Sequence, residues 1–91
     1  MQENEIAAAL KELDGWSRQG NTIVKSYRFA NYHETMAFVN ATAWISHRAD
    51  HHPDLVVGYN QCSVTYTTHS AGGLSRKDFD CAARVDALFA R

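Results

Sequence analysis

The chain has 91 residues, of which 45% are hydrophobic and 11% aromatic, so it carries enough apolar material to fold and disorder is excluded. Nine Lys and Arg residues against ten Asp and Glu residues give a formal net charge of −1. The basic stripe of a nucleic-acid binder is absent, as is the apolar run of about 18–20 residues that a membrane-spanning helix needs. The length predicts one domain over residues 1–91.

The amino terminus and the cysteines both bear on the compartment. The segment from Met1 to Glu5 is acidic and lacks the basic and apolar regions of a signal peptide. Two cysteines do not make a disulfide framework, and a reducing environment is the default for such a chain. Cys62 and Cys81 are interpreted as small core residues, because no basic neighbour would activate either thiol. We therefore expect a cytoplasmic protein.

The amino-terminal part of the chain predicts a helix followed by a β-hairpin. Apolar residues recur at helical spacing within residues 4–13, namely Ile6, Ala7, Leu10 and Leu13. A strand is expected from Trp16, and Gly20 with Asn21 supplies the positive φ of a tight turn. Residues 22–29 are rich in β-formers and predict the returning strand.

A longer helix of about five turns is expected next. Asn31 and Glu34 form a capping pair, in which the Asn31 side chain accepts from a free N–H of the first turn. The helix should end near residues 50–52, because the residue before Pro53 is disfavoured in the α region. The predicted inward stripe of this helix consists of Ala37, Phe38, Ala41, Trp44, Ile45 and Arg48.

Two more strands are predicted over residues 55–59 and 62–68, joined by a turn at Asn60 and Gln61. The second of these strands alternates in character. One face carries Cys62, Val64 and Tyr66, and the other carries Ser63, Thr65, Thr67 and His69. A strand of this kind is expected to bury one face and leave the other polar.

The final helix is expected to begin at a capping box formed by Ser75 and Asp78, and we interpret Asp78 as a cap. The helix should run to about residue 89, and it is expected to bury Phe79, Ala82, Ala83, Val85 and Phe89. The resulting order is α-β-β-α-β-β-α. It predicts an α+β fold, a two-layer sandwich in which helices pack on one face of a four-stranded antiparallel sheet.

Five histidines are unusual in a chain of this length, and three of them carry the functional hypothesis. His51 and His52 lie at the end of the long helix, and His69 at the end of the fourth strand. An imidazole exchanges a proton near neutral pH and can serve as a general acid or base. The alternatives are that His51 and His52 cap free helix carbonyls and that His69 is structural or exposed. Hairpin arms of about eight residues each would return His69 beside His51 and His52.

A metal site is a rival interpretation of the same residues. His47 and His51 are four residues apart on one helix, which is a spacing that metal ligands use. His52, His69 or Cys62 could complete the ligand set. Cys62, however, lies on the opposite strand face from His69, and the sequence has no CxxC or HExxH motif. We therefore expect no bound metal.

Several of these residues form a spaced pattern along the chain. Its members are His47, His51, His52, Pro53, Tyr59, His69 and Asp78. The neighbouring segments are DHHPD at 50–54, GYN at 58–60, TTH at 67–69, AGGLS at 71–75 and KD at 77–78. Together they resemble the signature of the pterin-4a-carbinolamine dehydratases, and the likeness covers nearly the whole chain. His47 and Ser70 stand where the family commonly has an acid.

The resemblance implies a reaction. Aromatic amino acid hydroxylases leave their tetrahydropterin cofactor as a 4a-hydroxy adduct, and this family removes water from the adduct to give the quinonoid dihydropterin. Expelling the hydroxyl needs an acid and the nitrogen side needs a base, and two positioned imidazoles could each contribute roughly 10²–10⁴-fold. The pterin is the substrate, so neither a cofactor nor a metal is implied.

The resemblance also assigns residues by position. The active-site histidines of the family correspond to His51, His52 and His69. Its pterin-contacting positions correspond to Asp50, Thr67, Thr68 and Ser70. Our hypothesis is that His51 and His69 perform the acid–base work, while His52 mainly holds the pterin.

Partners follow from size and from the resemblance. A domain this small buries only about 60–65% of its unfolded surface, and the family forms dimers and tetramers, so we expect a homodimer or homotetramer. A functional pairing with an aromatic amino acid hydroxylase is expected, and nucleic acid and membrane are not. Some family members bind proteins, one as a dimerisation cofactor of a homeodomain transcription factor. A protein-binding module is therefore the alternative function.

Overall fold

The structure is a computed structural model that describes residues 1–89. Its regular elements are α1 (Glu3–Lys11), β1 (Ser17–Gln19), β2 (Thr22–Arg28), α2 (Tyr32–Ala49), β3 (Asp54–Val57), β4 (Gln61–Tyr66) and α3 (Arg76–Asp86). A short 3₁₀ turn at His69–Ala71 lies between β4 and α3, and another at Ala87–Phe89 follows α3. The order confirms the expected α-β-β-α-β-β-α arrangement. Residues 90 and 91 of the predicted domain lie outside the described range.

The four strands form one sheet in the order β1-β2-β4-β3, with every neighbouring pair antiparallel. The outer face carries mainly polar side chains, together with Val24 and Val56, and the Ser26 and Ser63 hydroxyls hydrogen-bond across it at 2.8 Å. The inner face carries the fully buried Cys62, Val64 and Tyr66, as the alternation predicted. The α+β class, the four-stranded sheet and the alternation of β4 are confirmed.

The inner face of the sheet packs against side chains from both long helices. Phe38 of α2 and Phe79 and Val85 of α3 are all at most 5% exposed and join the same core cluster. Burying one such side chain is worth about 1.5–3 kcal/mol. Within the described part of the chain, every helix is too short or too polar to cross a bilayer.

The predicted inward stripe of α2 was wrong in part. Phe38 is buried, but Ala37, Trp44 and Arg48 are exposed, Trp44 by 61%. The other buried positions are Thr35, Thr42 and Ser46. Each of these hydroxyls donates to the backbone carbonyl four residues earlier, at 2.8–2.9 Å. Because that bond satisfies the hydroxyl, polar residues occupy positions that a hydrophobic pattern assigns to apolar ones.

Predictions at the carboxyl end and at one turn were also wrong. The α-helix stops at Asp86, and the 3₁₀ turn changes the helical phase, so Phe89 is 48% exposed. Phe89 instead stacks on Tyr27, with the ring centroids 5.3 Å apart. Ala83, expected to be buried, is exposed. The β3–β4 turn lies at residues 58–60, since Gln61 already pairs with Arg28 in the sheet.

Candidate active site

The end of α2 turns the chain sharply toward β3. Asp50 adopts a left-handed conformation, with φ 52° and ψ 44°, and its backbone N–H donates to the His47 carbonyl. The backbone N–H of His51 donates to the Ser46 carbonyl at 3.1 Å, which satisfies another free carbonyl of the last turn. His51 and His52 therefore leave the helix in a backbone conformation fixed by hydrogen bonds.

The β3–β4 pairing brings the end of β4 to the same edge of the sheet. Asp54 pairs with Thr65, so residues 51–53 run alongside residues 66–68. The chain then closes a small loop, in which the Thr68 N–H donates to the Gly73 carbonyl at 3.1 Å. Gly72 within this loop has φ 70°, which a residue with a side chain rarely adopts. His69 opens the 3₁₀ turn of that loop.

One cavity of about 340 Å³ lies at this edge. Its lining residues are Asp50, His51, His52, Thr67, Thr68, His69, Ser70 and Lys77. All seven residues predicted to form the site thus lie around one cavity, and the eighth, Lys77, was not predicted. A volume of this size is within the usual range for small-molecule sites.

Asp78 holds His51 in place from beneath the cavity. Its side chain is fully buried, and one oxygen lies 2.6 Å from the His51 Nε2. The other oxygen accepts from the Thr68 hydroxyl at 2.8 Å and from the Ser75 N–H at 3.0 Å. The predicted capping role is confirmed, but the bond to His51 was missed. Two features of the sequence could have predicted this bond. Asp78 belongs to the spaced pattern that contains the histidines, and the capping box places it in the first turn of the last helix.

The His51 ring also rests on an aromatic surface. It stacks on Tyr66, with the ring centroids 5.6 Å apart and the planes 13° from parallel. Burial raises the pKa of the Tyr66 phenol well above its usual range, so this ring stays uncharged beneath the imidazole. With Asp78 at its Nε2 and Tyr66 against its face, His51 is held in one orientation.

The two threonines use their hydroxyls within the protein. Thr67 donates to the Asn21 carbonyl at 2.6 Å, and Thr68 donates to Asp78. Thr68 is buried, which indicates a supporting position under the cavity rather than one on its rim. His52, His69, Ser70 and Asp50 are exposed around the opening.

Two of the residues named for a metal site, His47 and Cys62, lie away from the cavity. Cys62 is fully buried on the inner face of the sheet, while His47 is exposed and stacks on Trp44 at a centroid distance of 5.8 Å. Within residues 1–89, no group of three or more His, Cys, Asp or Glu side chains could hold a metal ion.

The whole-chain comparison decides the family. The family model described as pterin 4 alpha carbinolamine dehydratase matches residues 1–88. The chain belongs to this family. A Nitrosospira multiformis relative is 60% identical over 89 residues, covering 98% of this chain and 79% of the relative. A Chromobacterium violaceum relative is 54% identical, covering 98% of this chain and 82% of the relative. Both carry the provisional name pterin-4-alpha-carbinolamine dehydratase.

Two solved structures extend the comparison. A Brucella melitensis protein described as a transcriptional coactivator/pterin dehydratase superposes with a TM-score of 0.93 at 31% identity, covering 97% of this chain and 96% of its own. A pterin dehydratase-like protein identified as a RuBisCO assembly factor in the alpha-carboxysome gives 0.72 at 29% identity, covering 84% and 90%. The family membership predicted from the spaced pattern is confirmed, and the fold matches that of pterin dehydratase structures.

Proposed function

We propose that this chain removes water from a 4a-hydroxytetrahydropterin to give the quinonoid dihydropterin, by histidine acid–base catalysis. The proposal rests chiefly on the convergence of His51, His52 and His69 around one cavity, with His51 anchored to the buried Asp78. Family membership supports a pterin as the substrate. The reaction moves protons and breaks a C–O bond without a change of oxidation state, so imidazoles can supply what it needs.

The bond to Asp78 suggests how His51 acts. A carboxylate only accepts hydrogen bonds, so the Nε2 of His51 carries the hydrogen of that pair and Nδ1 remains for proton exchange. One histidine gives a proton to the departing 4a-hydroxyl, which leaves as water. The other takes the proton from N5 as the C4a–N5 double bond forms. We assign these two steps to His51 and His69 without fixing their order.

The remaining site residues are proposed to bind the ring. His52, Asp50 and Ser70 are exposed at the opening, where they can contact the polar edge of a pterin. Thr67 lines the cavity with a hydroxyl whose lone pairs are free to accept, while Thr68 supports Asp78. The cytoplasmic location and the recycling of a hydroxylase cofactor remain part of this proposal.

The test is the rate at which the 4a-hydroxy adduct disappears in stopped flow. We expect His51→Ala and His69→Ala each to lower the rate constant at least about tenfold, a barrier increase of about 1.4 kcal/mol. His52→Ala should mainly raise KM. His33→Ala is the matched control, because His33 is an exposed histidine outside the cavity and should leave the rate unchanged. Full activity of both the His51 and His69 variants would defeat the proposal.

A protein-binding module is the second candidate. The observation that favours it is structural similarity to a coactivator/pterin dehydratase and to a RuBisCO assembly factor. The same stopped-flow assay separates the two functions. If micromolar wild-type protein fails to accelerate loss of the adduct while remaining folded, the binding module is the better account. If it accelerates the loss and the histidine variants do not, the enzyme is the better account.

A further inference from the structure

The candidate site continues into two neighbouring cavities between α2 and α3. The first, of about 210 Å³, shares His51 and Lys77 with the site and also contacts Arg48 and Arg84. The second, of about 390 Å³, shares Arg48 and Arg84 with the first and ends at Trp44. We call these two cavities the α2–α3 groove. It leads from His51 along the surface between the two helices.

The groove is strongly cationic. Arg48, Lys77 and Arg84 line it, and Asp80 is the one carboxylate among its described lining residues. No ion pair within residues 1–89 involves any of these three cations. Cations without partners along a concave surface raise the local concentration of anions. The groove therefore favours a ligand group of negative charge.

The far end of the groove has a second feature. Trp44 is 61% exposed, and the Arg48 guanidinium lies 5.9 Å from the centroid of its ring. This combination of a flat apolar face and a cation suits an aromatic or carboxylate-bearing group. Lys77 and Arg84 are seven residues apart on α3, which at 1.5 Å per residue separates them by about 10 Å.

We propose that the groove holds the anionic side chain of a pterin whose ring occupies the candidate site. This inference rests on the proposed function and narrows its substrate class to reduced pterins that carry a carboxylate or phosphate on the side chain. A phosphate on a short chain would reach Lys77, whereas a longer chain ending in carboxylates would reach Arg48 and Arg84. An acidic protein segment would also match the charge. The shared His51 and Lys77 favour one ligand that fills site and groove together.

The test compares three probes by isothermal titration calorimetry: neutral 7,8-dihydroneopterin, its monophosphate, and 7,8-dihydrofolate with its glutamate carboxylates. We expect at least one anionic probe to bind about tenfold more tightly than the neutral one, and we expect this preference to shrink as salt is added. Tighter binding of the phosphate alone would indicate the short side chain, and tighter binding of dihydrofolate the long one.

Paired substitutions locate the effect. The Arg48→Gln/Arg84→Gln variant should reduce the preference for dihydrofolate over the neutral probe at least about fivefold. Lys77→Gln should likewise reduce the preference for the monophosphate over the neutral probe. The control is Lys11→Gln/Arg28→Gln, which removes the same charge from exposed residues outside the groove and should leave both ratios intact.

The inference is overturned if neutral and anionic probes bind equally or if the control lowers the ratios as much as the groove variants do. Binding of an acidic peptide that depends on Arg48 and Arg84, with no preference among the pterins, would overturn it too and assign the groove to a protein partner. These outcomes differ from failure of the proposed function, in which no 4a-hydroxy adduct, neutral or anionic, is dehydrated.

Discussion

Asp78 shows how a single carboxylate serves both a helix end and an imidazole. It accepts from Ser75 just before α3, from Thr68 two residues after β4 and from His51. The capping spacing is visible in the sequence, and so is the convergence of the histidines, because hairpin arms of equal length require it. The bond to His51 is not visible in the sequence, because Asp78 lies 27 residues further along the chain and the bond depends on how α3 packs across the sheet. Lys77 was missed for the same reason.

We expect Asp78→Asn to lower the dehydration rate constant at least about tenfold, because an amide cannot accept all three bonds and its N–H₂ would favour the other tautomer of His51. Unfolding in urea should show a loss of about 1–3 kcal/mol from the broken buried network. Asn31→Ala separates the two effects, since it removes the cap of α2 away from the site and should cost about 1 kcal/mol with the rate retained. An unchanged rate and pH profile for Asp78→Asn would contradict a positioning role.

Substitution of Tyr66, unlike that of Asp78, is expected not to lower the free energy of unfolding. Its hydroxyl is buried and has no hydrogen-bond partner among residues 1–89, so Tyr66→Phe should leave stability unchanged or raise it by up to about 1 kcal/mol while keeping the ring under His51.

The pH dependence of stability follows from the same residue. Unfolded tyrosine ionises near pH 10, whereas burial raises the pKa of Tyr66 in the folded chain. Above about pH 10 the unfolded state therefore releases a proton that the folded state keeps, and stability falls as pH rises. Urea unfolding between pH 9 and about 11 should show a shallower fall for Tyr66→Phe than for the wild type. Equal slopes would disprove the role of this hydroxyl.

At the scale of elements, the ends of α2 were predictable and its buried face was not. The Asn31 cap accepts from the Glu34 N–H at 2.9 Å, and the helix ends at Ala49, shortly before Pro53. These limits depend on local chemistry that a sequence displays. The buried face depends on what α2 packs against, and hydroxyls that bond within the helix removed the expected cost of burying Thr35, Thr42 and Ser46.

The corrected face of α2 can be checked by a pair of substitutions. Phe38→Ala should cost about 3–5 kcal/mol in urea unfolding, because it empties a position that is 5% exposed. Trp44→Ala should cost less than about 1 kcal/mol, since that ring is largely in solvent. A cost for Trp44→Ala as large as that for Phe38→Ala would show that Trp44 is covered in an assembly.

At the scale of the whole molecule, one carboxylate joins the amino-terminal hairpin to the last helix. Asp86 accepts from the Trp16 indole at 3.0 Å, from the Lys25 ammonium at 2.9 Å and from the Tyr27 hydroxyl. Burial, with the Asp86 carboxylate adding to it, raises the pKa of Tyr27. These partners are 59 to 70 residues away along the chain, so no periodicity or capping pattern could predict the cluster.

We propose that the expected homodimer or homotetramer forms along the exposed edge of the sheet. β3 is an edge strand, its Val56 is 68% exposed and Val57 41%, and it has neither the lysine nor the proline that commonly protects such an edge. A second copy pairing along β3 would extend the sheet and lie beside both valines, one on each face. Light scattering after size exclusion should therefore give a dimer or tetramer mass for the wild type at micromolar concentration.

Val56→Lys should lower that mass, because a charge on the edge opposes pairing. Gln19→Lys, on the opposite edge strand β1, is the matched control and should keep the assembly. A monomer mass for the wild type would refute the assembly, and equal dissociation by both variants would refute its placement on β3.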